Sequence, residues 1–314
     1  MILKNPSVSP PSTRTSATVA LGGGGARGVA HFGALQAMEE HRIRIDRICG
    51  TSIGSLAGGI YAFEGNLEAA QKHVVEYLQS KEFRSKQESL YGASPTGTSS
   101  NSGGLLGWYD RIKSYLWAQS LLNRVFTRRS LLSGQFLEDV VEVLLPDIDI
   151  AETVIPLSIV AVDLKSGHPV VLEQGSLRKA VIASASIPGI FPPVVWEDKL
   201  LCDFGVLDSL PTAIAASYNS DLVLGVDVGP SPEPVEDCES ALHVLLRMDE
   251  ISERLYRSRS HELADILIRP EVGKYQWFDF SDPMRLIEAG LMAGRITLSS
   301  AGMMQLNRES LATR

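Results

Sequence analysis

Long hydrophobic runs are missing from this sequence of 314 residues. A membrane-spanning helix needs about eighteen consecutive apolar residues, and no stretch supplies them. The first residues also lack the apolar core of a secretory signal and are rich in Pro, Ser and Thr. We therefore expect residues 1–16 to be a disordered lead-in and the protein to be cytoplasmic.

Cysteine and positive charge are also in short supply. The three cysteines, Cys49, Cys202 and Cys238, lie far apart without metal-ligand spacing, and no acidic cluster has the spacing of an EF-hand. An odd number of cysteines without a secretory signal favours reduced thiols. Lys and Arg number 29 against 37 Asp and Glu, and the net charge of −8 argues against a general nucleic-acid-binding protein.

Short apolar runs typical of strands alternate with stretches of helical periodicity from residue 17 onward. Residues 17–22 and 44–50 are predicted strands, each followed by a predicted helix, and Asn66 is a predicted N-cap. This alternation predicts a single α/β domain over residues 17–314, with a mainly parallel central sheet flanked by helices. A low-complexity stretch at 91–104 interrupts the pattern and is predicted to be a surface loop.

Four consecutive glycines open the sequence GGGGARG at residues 22–28. Each glycine costs about 0.5–1 kcal/mol relative to alanine in regular structure, so some group is expected to approach this backbone closely. The spacing from Gly23 through Gly25 to Gly28, with Asp46 downstream, fits a dinucleotide-binding fingerprint. A tight turn without a ligand, or a loop that binds an oxygen made negative during a reaction, are the other interpretations.

Residues 50–54 read GTSIG, a G-x-S-x-G sequence after a predicted strand and before a predicted helix. This is the context of a nucleophile elbow, in which Gly50 and Gly54 allow a sharp turn that exposes Ser52. The N-terminus of the following helix would add partial positive charge beside the seryl oxygen. An ordinary helix start is the alternative interpretation.

A serine nucleophile needs a base, and the sequence offers an aspartate more readily than a histidine. Asp203 ends an apolar strand just before Gly205, where it would point over the same sheet edge as Ser52; a turn aspartate is the alternative. His243 and His261 follow it in the sequence and are the candidates for the histidine of a triad. Both lie in a predicted long polar helix, which favours a surface or packing role.

Taken in order, GGGGARG, GTSIG and the Asp-x-Gly at Asp203 resemble the patatin-like phospholipase family. Further similarity lies in VAVDLKSG (160–167) and SASIPGIFPPV (184–194), so the resemblance covers most of the chain. It implies a three-layer domain in which Ser52 is the nucleophile and Asp203 the base. The resemblance implies an oxyanion hole formed by the backbone around Gly23, Gly24 and Gly25, with supporting positions at Arg27, Gly28, Gly50, Gly54 and Gly205.

The resemblance further implies a serine esterase that hydrolyses acyl esters of phospholipids or lysophospholipids and needs neither metal nor organic cofactor. Arg27 would either brace the glycine loop or bind a lipid phosphate. A nucleotide-binding α/β protein that uses the glycine loop is the alternative. Phe204 stands where the family usually has glycine and suggests an inactive lipid-binding relative, or a residue of the acyl channel. Because phenylalanine adopts positive φ only at a cost, a different turn is expected there.

A basic and aromatic segment at 105–132 carries Trp, Tyr and Phe among Lys and Arg residues. It fits an amphipathic helix that lies on the inner face of a membrane, although a helix packed on the core is the slightly favoured interpretation. With the loop before it, the region from about 88 to 132 is a candidate lid insert. The sequence does not indicate an oligomeric state.

Overall fold

The computed structural model describes residues 15–91, 129–230, 234–235, 237–273 and 275–312. Its strands are β1 (Ser16–Leu21), β2 (Arg44–Thr51), β3 (Leu157–Asp163), β4 (Pro169–Leu172), β5 (Val194–Trp196), β6 (Lys199–Asp203), β7 (Leu222–Val226) and β8 (Ile266–Ile268). They form one sheet in the order β5-β6-β3-β2-β1-β7-β8, and β4 pairs with β3 outside this order.

The sheet is mixed and mostly parallel. Strands β3, β2, β1, β7 and β8 run side by side in one direction. Strands β4 and β6 pair with β3 in the opposite direction, and β5 pairs with β6 as a hairpin. The predicted α/β fold with a mainly parallel sheet is confirmed, and β4 and β6 are the strands that run antiparallel to β3.

Helices cover both faces of this sheet. They are α1 (Ala30–Glu40), α2 (Ile53–Glu64), α3 (Leu67–Leu78), α4 (Lys81–Tyr91), α5 (Gln135–Leu144), α6 (Leu177–Ala185), α7 (Thr212–Ala215), α8 (Ala241–Glu262) and α9 (Pro283–Ala312). Among the described residues, no helix is both long and apolar enough to cross a bilayer.

Strand β1 shows how the two faces are filled. Successive side chains of a strand point to opposite faces. Val19 and Leu21 belong to the large core cluster, which also contains Phe32 of α1 and Ile60 of α2. Ala20 points the other way, into a small cluster that contains Ala215 of α7. Because both faces of β1 are buried, its sequence is continuously apolar.

The predicted cap of α3 is confirmed. The Asn66 side chain accepts a hydrogen bond of 2.9 Å from the Ala69 amide, which satisfies one of the free N–H groups at the helix start. The preceding helix α2 ends at Gly65 in the left-handed conformation, with φ of 61°. The candidate lid and the aromatic segment fall mainly on residues 92–128, which lie outside the described residues.

Candidate active site

Ser52 forms the whole connection between a strand and a helix. Strand β2 ends at Thr51 and α2 begins at Ile53, so Ser52 alone turns the chain, with φ of 55° and ψ of −124°. Positive φ is uncommon for a residue with a side chain and costs about 1–3 kcal/mol. At Gly54 a Cβ would collide with the Leu21 carbonyl oxygen. A glycine is required there because the turn packs directly on β1.

Two other serines hold the backbone of this turn. The Ser52 amide donates to the Ser184 hydroxyl at 2.9 Å, and that hydroxyl donates to the Val160 carbonyl at 2.6 Å. The Ser55 hydroxyl donates to the Ser52 carbonyl at 2.6 Å. Sequence reasoning missed both residues, although Ser184 begins the SASIPGIFPPV segment. The Ser52 amide is therefore already hydrogen-bonded, and Ser52 lines the cavity described below.

The register of the sheet brings Asp203 close to Ser52. On β3, Val160 pairs with Thr51 of β2, and the next residue, Ala161, pairs with Asp203 of β6. Ser52 and Asp203 therefore lie at nearly the same level on the two sides of β3. We expected Asp203 to end a strand and to point over the same sheet edge as Ser52. The antiparallel β6 reaches the same place because it ends halfway along β3.

The Asp203 carboxylate is buried and hydrogen-bonded. Its Oδ1 accepts from the Gly205 amide at 2.7 Å. Burial raises the pKa of Asp203 to about 6, against the opposing effects of hydrogen bonds from the Ser52 hydroxyl and the Gly205 amide. A carboxylate with this pKa is a stronger base than an exposed aspartate and is still ionised at neutral pH.

The residue after Asp203 does not need the positive φ that a glycine would allow. Residues Phe204–Val206 form a 3-10 turn that begins at Asp203, and Phe204 is not among the described residues with positive φ. The turn that sequence reasoning found doubtful is therefore compatible with a phenylalanine. Gly205 and Val206 line the cavity beside Ser52, whereas Phe204 is not among the lining residues.

The glycine loop follows β1 and passes beside Ser52. A Cβ on Gly23 would lie 3.4 Å from the Ser52 Cβ. The Gly23 amide donates to the Ser209 carbonyl at 2.8 Å, so it is not free to bind another oxygen. This corrects the expectation that three glycine amides form one donor group. Within the described part of the chain, the amides of Gly24 and Gly25 have no acceptor.

Gly25 has a left-handed backbone with φ of 60°, and a Cβ there would collide with the Trp277 carbonyl. The same carbonyl accepts a hydrogen bond of 2.5 Å from the Ala26 amide. Gly28 lies against the side chain of Ile53, at the start of α2. The loop is therefore fitted between the Trp277 segment and the first turn of α2.

Arg27 braces the glycine loop. Its side chain is buried, and Nε donates to the Gly24 carbonyl at 3.1 Å. Burial lowers the pKa of Arg27 to about 10, and the positive charge of Arg257 acts in the same direction. Two roles were expected for Arg27, bracing the glycine loop or binding a lipid phosphate. The structure shows the contact that the first role requires.

A buried ionic cluster lies next to the loop. Asp227, which follows β7, accepts from Arg257 Nη1 at 3.3 Å, and Arg257 Nε lies 3.3 Å from Glu253. His261 bonds Asp227 through Nε2 at 2.8 Å. Neither His261 nor His243 lines the cavity beside Ser52. Of the two interpretations of His261, a triad base or a packing residue, its bond to Asp227 fits the packing role.

Ser52, Asp203 and the three glycines open into one cavity of about 890 Å3, including its open mouth. Apolar groups contributed by Ile187, Val206, Pro230 and Trp277 line part of it. Besides Asp203, its charged lining consists of Arg27 and four residues of α8, Glu250, Glu253, Arg254 and Arg257. Among the described residues, no group of His, Cys, Asp or Glu side chains could hold a metal ion.

The dinucleotide interpretation placed Asp46 near the ribose. Asp46 lies at the start of β2, where its neighbour Arg44 pairs with Ser16 at the start of β1. The glycine loop follows the other end of β1. Asp46 and the loop therefore lie at opposite ends of the central strands. It forms an ion pair of 2.7 Å with Arg44 instead.

Comparison with known proteins identifies relatives of this chain. A family model described as patatin-like phospholipase matches residues 19–216. An uncharacterized NTE family protein of Mycobacterium tuberculosis is 30% identical over 237 residues, which cover 73% of this chain and 53% of the relative. The lysophospholipase NTE1 of Mycosarcoma maydis is 30% identical over 230 residues, 72% of this chain and 10% of that protein.

The chain thus spans about half the length of the mycobacterial relative and a smaller share of the fungal one. Among solved structures, VipD from Legionella pneumophila matches with a TM-score of 0.45 and 14% identity, over 91% of this chain and 66% of that one.

Proposed function

The chain belongs to the patatin-like phospholipase family, and on that premise we propose that it hydrolyses acyl esters of phospholipids or lysophospholipids through a Ser52–Asp203 dyad. The observation that carries this proposal is one cavity into which the Ser52 hydroxyl, the buried Asp203 carboxylate and the glycine loop all open. One ester group placed in that cavity would meet all three.

In the first half of the reaction, Ser52 Oγ attacks the acyl carbonyl carbon and Asp203 accepts the hydroxyl proton. The carbonyl oxygen becomes negative and is bound by the amides of Gly24 and Gly25, which have no acceptor within the described part of the chain. The partial positive charge at the start of α2 stabilises the same tetrahedral intermediate. Collapse of that intermediate breaks the ester bond, and the departing alcohol takes the proton from Asp203.

In the second half, water attacks the acyl-serine ester. Asp203 accepts a proton from the water, and the oxyanion again lies at the Gly24 and Gly25 amides. Collapse releases the fatty acid, and the proton returns from Asp203 to Ser52 Oγ. All the groups needed for both halves come from this chain. The apolar lining residues Ile187, Val206 and Trp277 fit an acyl chain.

A fluorophosphonate probe tests the nucleophile. We expect covalent labelling at Ser52 in the wild type and none in Ser52→Ala, because only an activated serine attacks phosphorus. In a lysophospholipid assay, Asp203→Asn should lower the rate about 10²–10⁴-fold. The matched control is Asp198→Asn, which removes a carboxylate from the exposed turn after β5.

The pH dependence tests the base. Hydrolysis should fall as the pH drops below about 6, because Asp203 is then protonated. His261→Gln should retain this profile and most of the rate. Labelling at a residue other than Ser52, or loss of activity in a folded His261→Gln variant, would contradict the dyad.

We also infer that the enzyme meets its substrate at a lipid surface. The inference rests on the lipid substrate alone. Rates measured below and above the substrate's critical micelle concentration test it, and no increase in rate on aggregation of the substrate would count against it.

A further inference from the structure

Helix α8 presents a charged face to the cavity. Its four lining residues, Glu250, Glu253, Arg254 and Arg257, follow the spacing i, i+3, i+4 and i+7, which places them on one side of a helix. At 1.5 Å per residue, this face is about 10 Å long. Arg257 lies at the end beside Asp227 and the glycine loop, and Arg254 lies about one turn farther toward the start of the helix.

Three of these four charges are already neutralised by neighbours. Glu250 forms an ion pair of 2.7 Å with Arg247. Glu253 accepts from the Ser209 hydroxyl at 2.6 Å and lies 3.3 Å from Arg257. Arg257 in turn contacts the buried Asp227. These residues form closed pairs that are not available to a ligand.

Arg254 differs from them. Its side chain is exposed, lines the cavity and forms no ion pair with any described residue. The acid one turn away on the same face is Glu250, and Arg247 already holds it. Among the described residues that line the cavity, Arg254 is therefore the exposed arginine without an ion pair, whereas Arg27 is buried and bonded to the Gly24 carbonyl.

We propose that Arg254 binds the phosphate of the lipid substrate and makes the cavity select phosphate-bearing lipids over neutral acylglycerols. A guanidinium binds a phosphate through two parallel hydrogen bonds, a geometry that suits recognition at a fixed distance from a reacting ester. In a glycerophospholipid, a short glycerol spacer separates the acyl ester from the phosphate. The proposal deepens the proposed function and rests on it.

The same helix supplies a matched control. Arg259 is an exposed arginine of α8 that does not line the cavity, and its guanidinium lies 5.9 Å from the Tyr256 ring centroid. Arg259→Gln removes the same charge from the same helix without touching the cavity. It separates a local phosphate contact from a general attraction between the protein and an anionic lipid.

The test compares two substrates that differ only in the phosphate, a 1-acylglycerol 3-phosphate and the 1-acylglycerol with the same acyl chain. We expect Arg254→Gln to lower the ratio of kcat/KM values for these substrates about tenfold, mainly through KM. Arg254→Lys should restore part of the ratio, and Arg259→Gln should leave it unchanged. An unchanged ratio in Arg254→Gln, or an equal fall in Arg259→Gln, would overturn the proposal.

A binding measurement separates this proposal from the proposed function. Calorimetric titration of Ser52→Ala with the two lipids below their critical micelle concentrations needs no turnover. Tighter binding of the phosphate-bearing lipid, lost on adding Arg254→Gln, supports the phosphate contact even if the wild type hydrolyses neither lipid. Inorganic phosphate is the third ligand; if it binds as tightly as the phospholipid, the lipid assignment is overturned.

Discussion

At the scale of single residues, the two groups of the proposed dyad are both energetically unfavourable for folding. Ser52 has positive φ without being a glycine. Asp203 is buried, and burial raises its pKa to about 6, which means that its charged form is costly in the folded protein. Such costs are found at functional sites, where the surrounding structure maintains them.

Asp203→Asn should therefore stabilise the protein while it removes activity. Above pH 6 the wild type holds a buried carboxylate, and the neutral amide avoids that cost, so the free energy of unfolding should rise by about 1–3 kcal/mol. The pKa is raised in the folded state, so the wild type becomes more stable as the pH falls from 6 toward the unfolded value of 3.8. The advantage of the variant should fade over this range.

Denaturant unfolding at pH 8 and pH 4 measures the effect. Asp198→Asn is again the control, since the Asp198 side chain is 84% exposed and should show no gain at either pH. A variant less stable than the wild type at pH 8 would mean that the charge of Asp203 is favourable in the fold.

Some residues of the candidate site could be predicted from the sequence, and others could not. Ser52 and Asp203 stand in short motifs with a defined strand context, so the sequence is sufficient to name them as candidates. Ser184 and Ser55 act through backbone hydrogen bonds that no spacing reveals. Arg254 is one of several arginines in a polar helix, and only the packing of α8 shows that it lines the cavity.

At the scale of elements, the order of strands and helices was largely predictable and the direction of β6 was not. Alternation indicates a strand but not its direction. Here the direction is set by a hairpin in which Trp196 pairs with Lys199 across Glu197 and Asp198. Glu197 has positive φ, a conformation that two-residue hairpins usually give to Gly or Asn. The turn therefore lacks the residues by which a hairpin is recognised in a sequence.

The glycine loop provides the prediction at this scale. Gly25→Ala would place a methyl group against the Trp277 carbonyl and displace the amides of Gly24 and Gly25, which we propose bind the oxyanion. We expect hydrolysis to fall about 10²–10³-fold, the usual effect of losing an oxyanion donor. The measurement is kcat with a soluble short-chain ester.

Gly167→Ala is the matched control for Gly25→Ala. Gly167 also has positive φ, 74°, but a Cβ there would meet no atom within 4 Å in the part of the chain that the structure describes. Both variants carry the same backbone strain of about 1 kcal/mol, so stability should fall in both. Activity should fall only in Gly25→Ala, and equal activities would show that the loop geometry is not needed for turnover.

At the scale of the whole molecule, the candidate site depends on two parts of the chain. Its sequence motifs lie before residue 216, and elements after that residue complete it. The family model ends at that residue, yet α8 supplies one wall of the cavity and the Trp277 carbonyl holds the glycine loop. Helix α9 then packs along α1, which follows the loop directly. The position of the loop therefore depends on contacts between the two ends of the described chain.

Small residues permit the close approach of α9 and α1. A Cβ on Gly290 would collide with the Ala30 carbonyl, whereas a Cβ on Gly302, in the same helix, would meet no atom of the described residues within 4 Å. Alanine is favoured over glycine by about 0.8–1 kcal/mol inside a helix. Gly302→Ala should raise the free energy of unfolding by up to this amount, and Gly290→Ala should lower it by about 1–3 kcal/mol through overpacking. Thermal unfolding of the two variants gives the signs, and a stabilising Gly290→Ala would mean that α9 does not bear on α1 as closely as the structure places it.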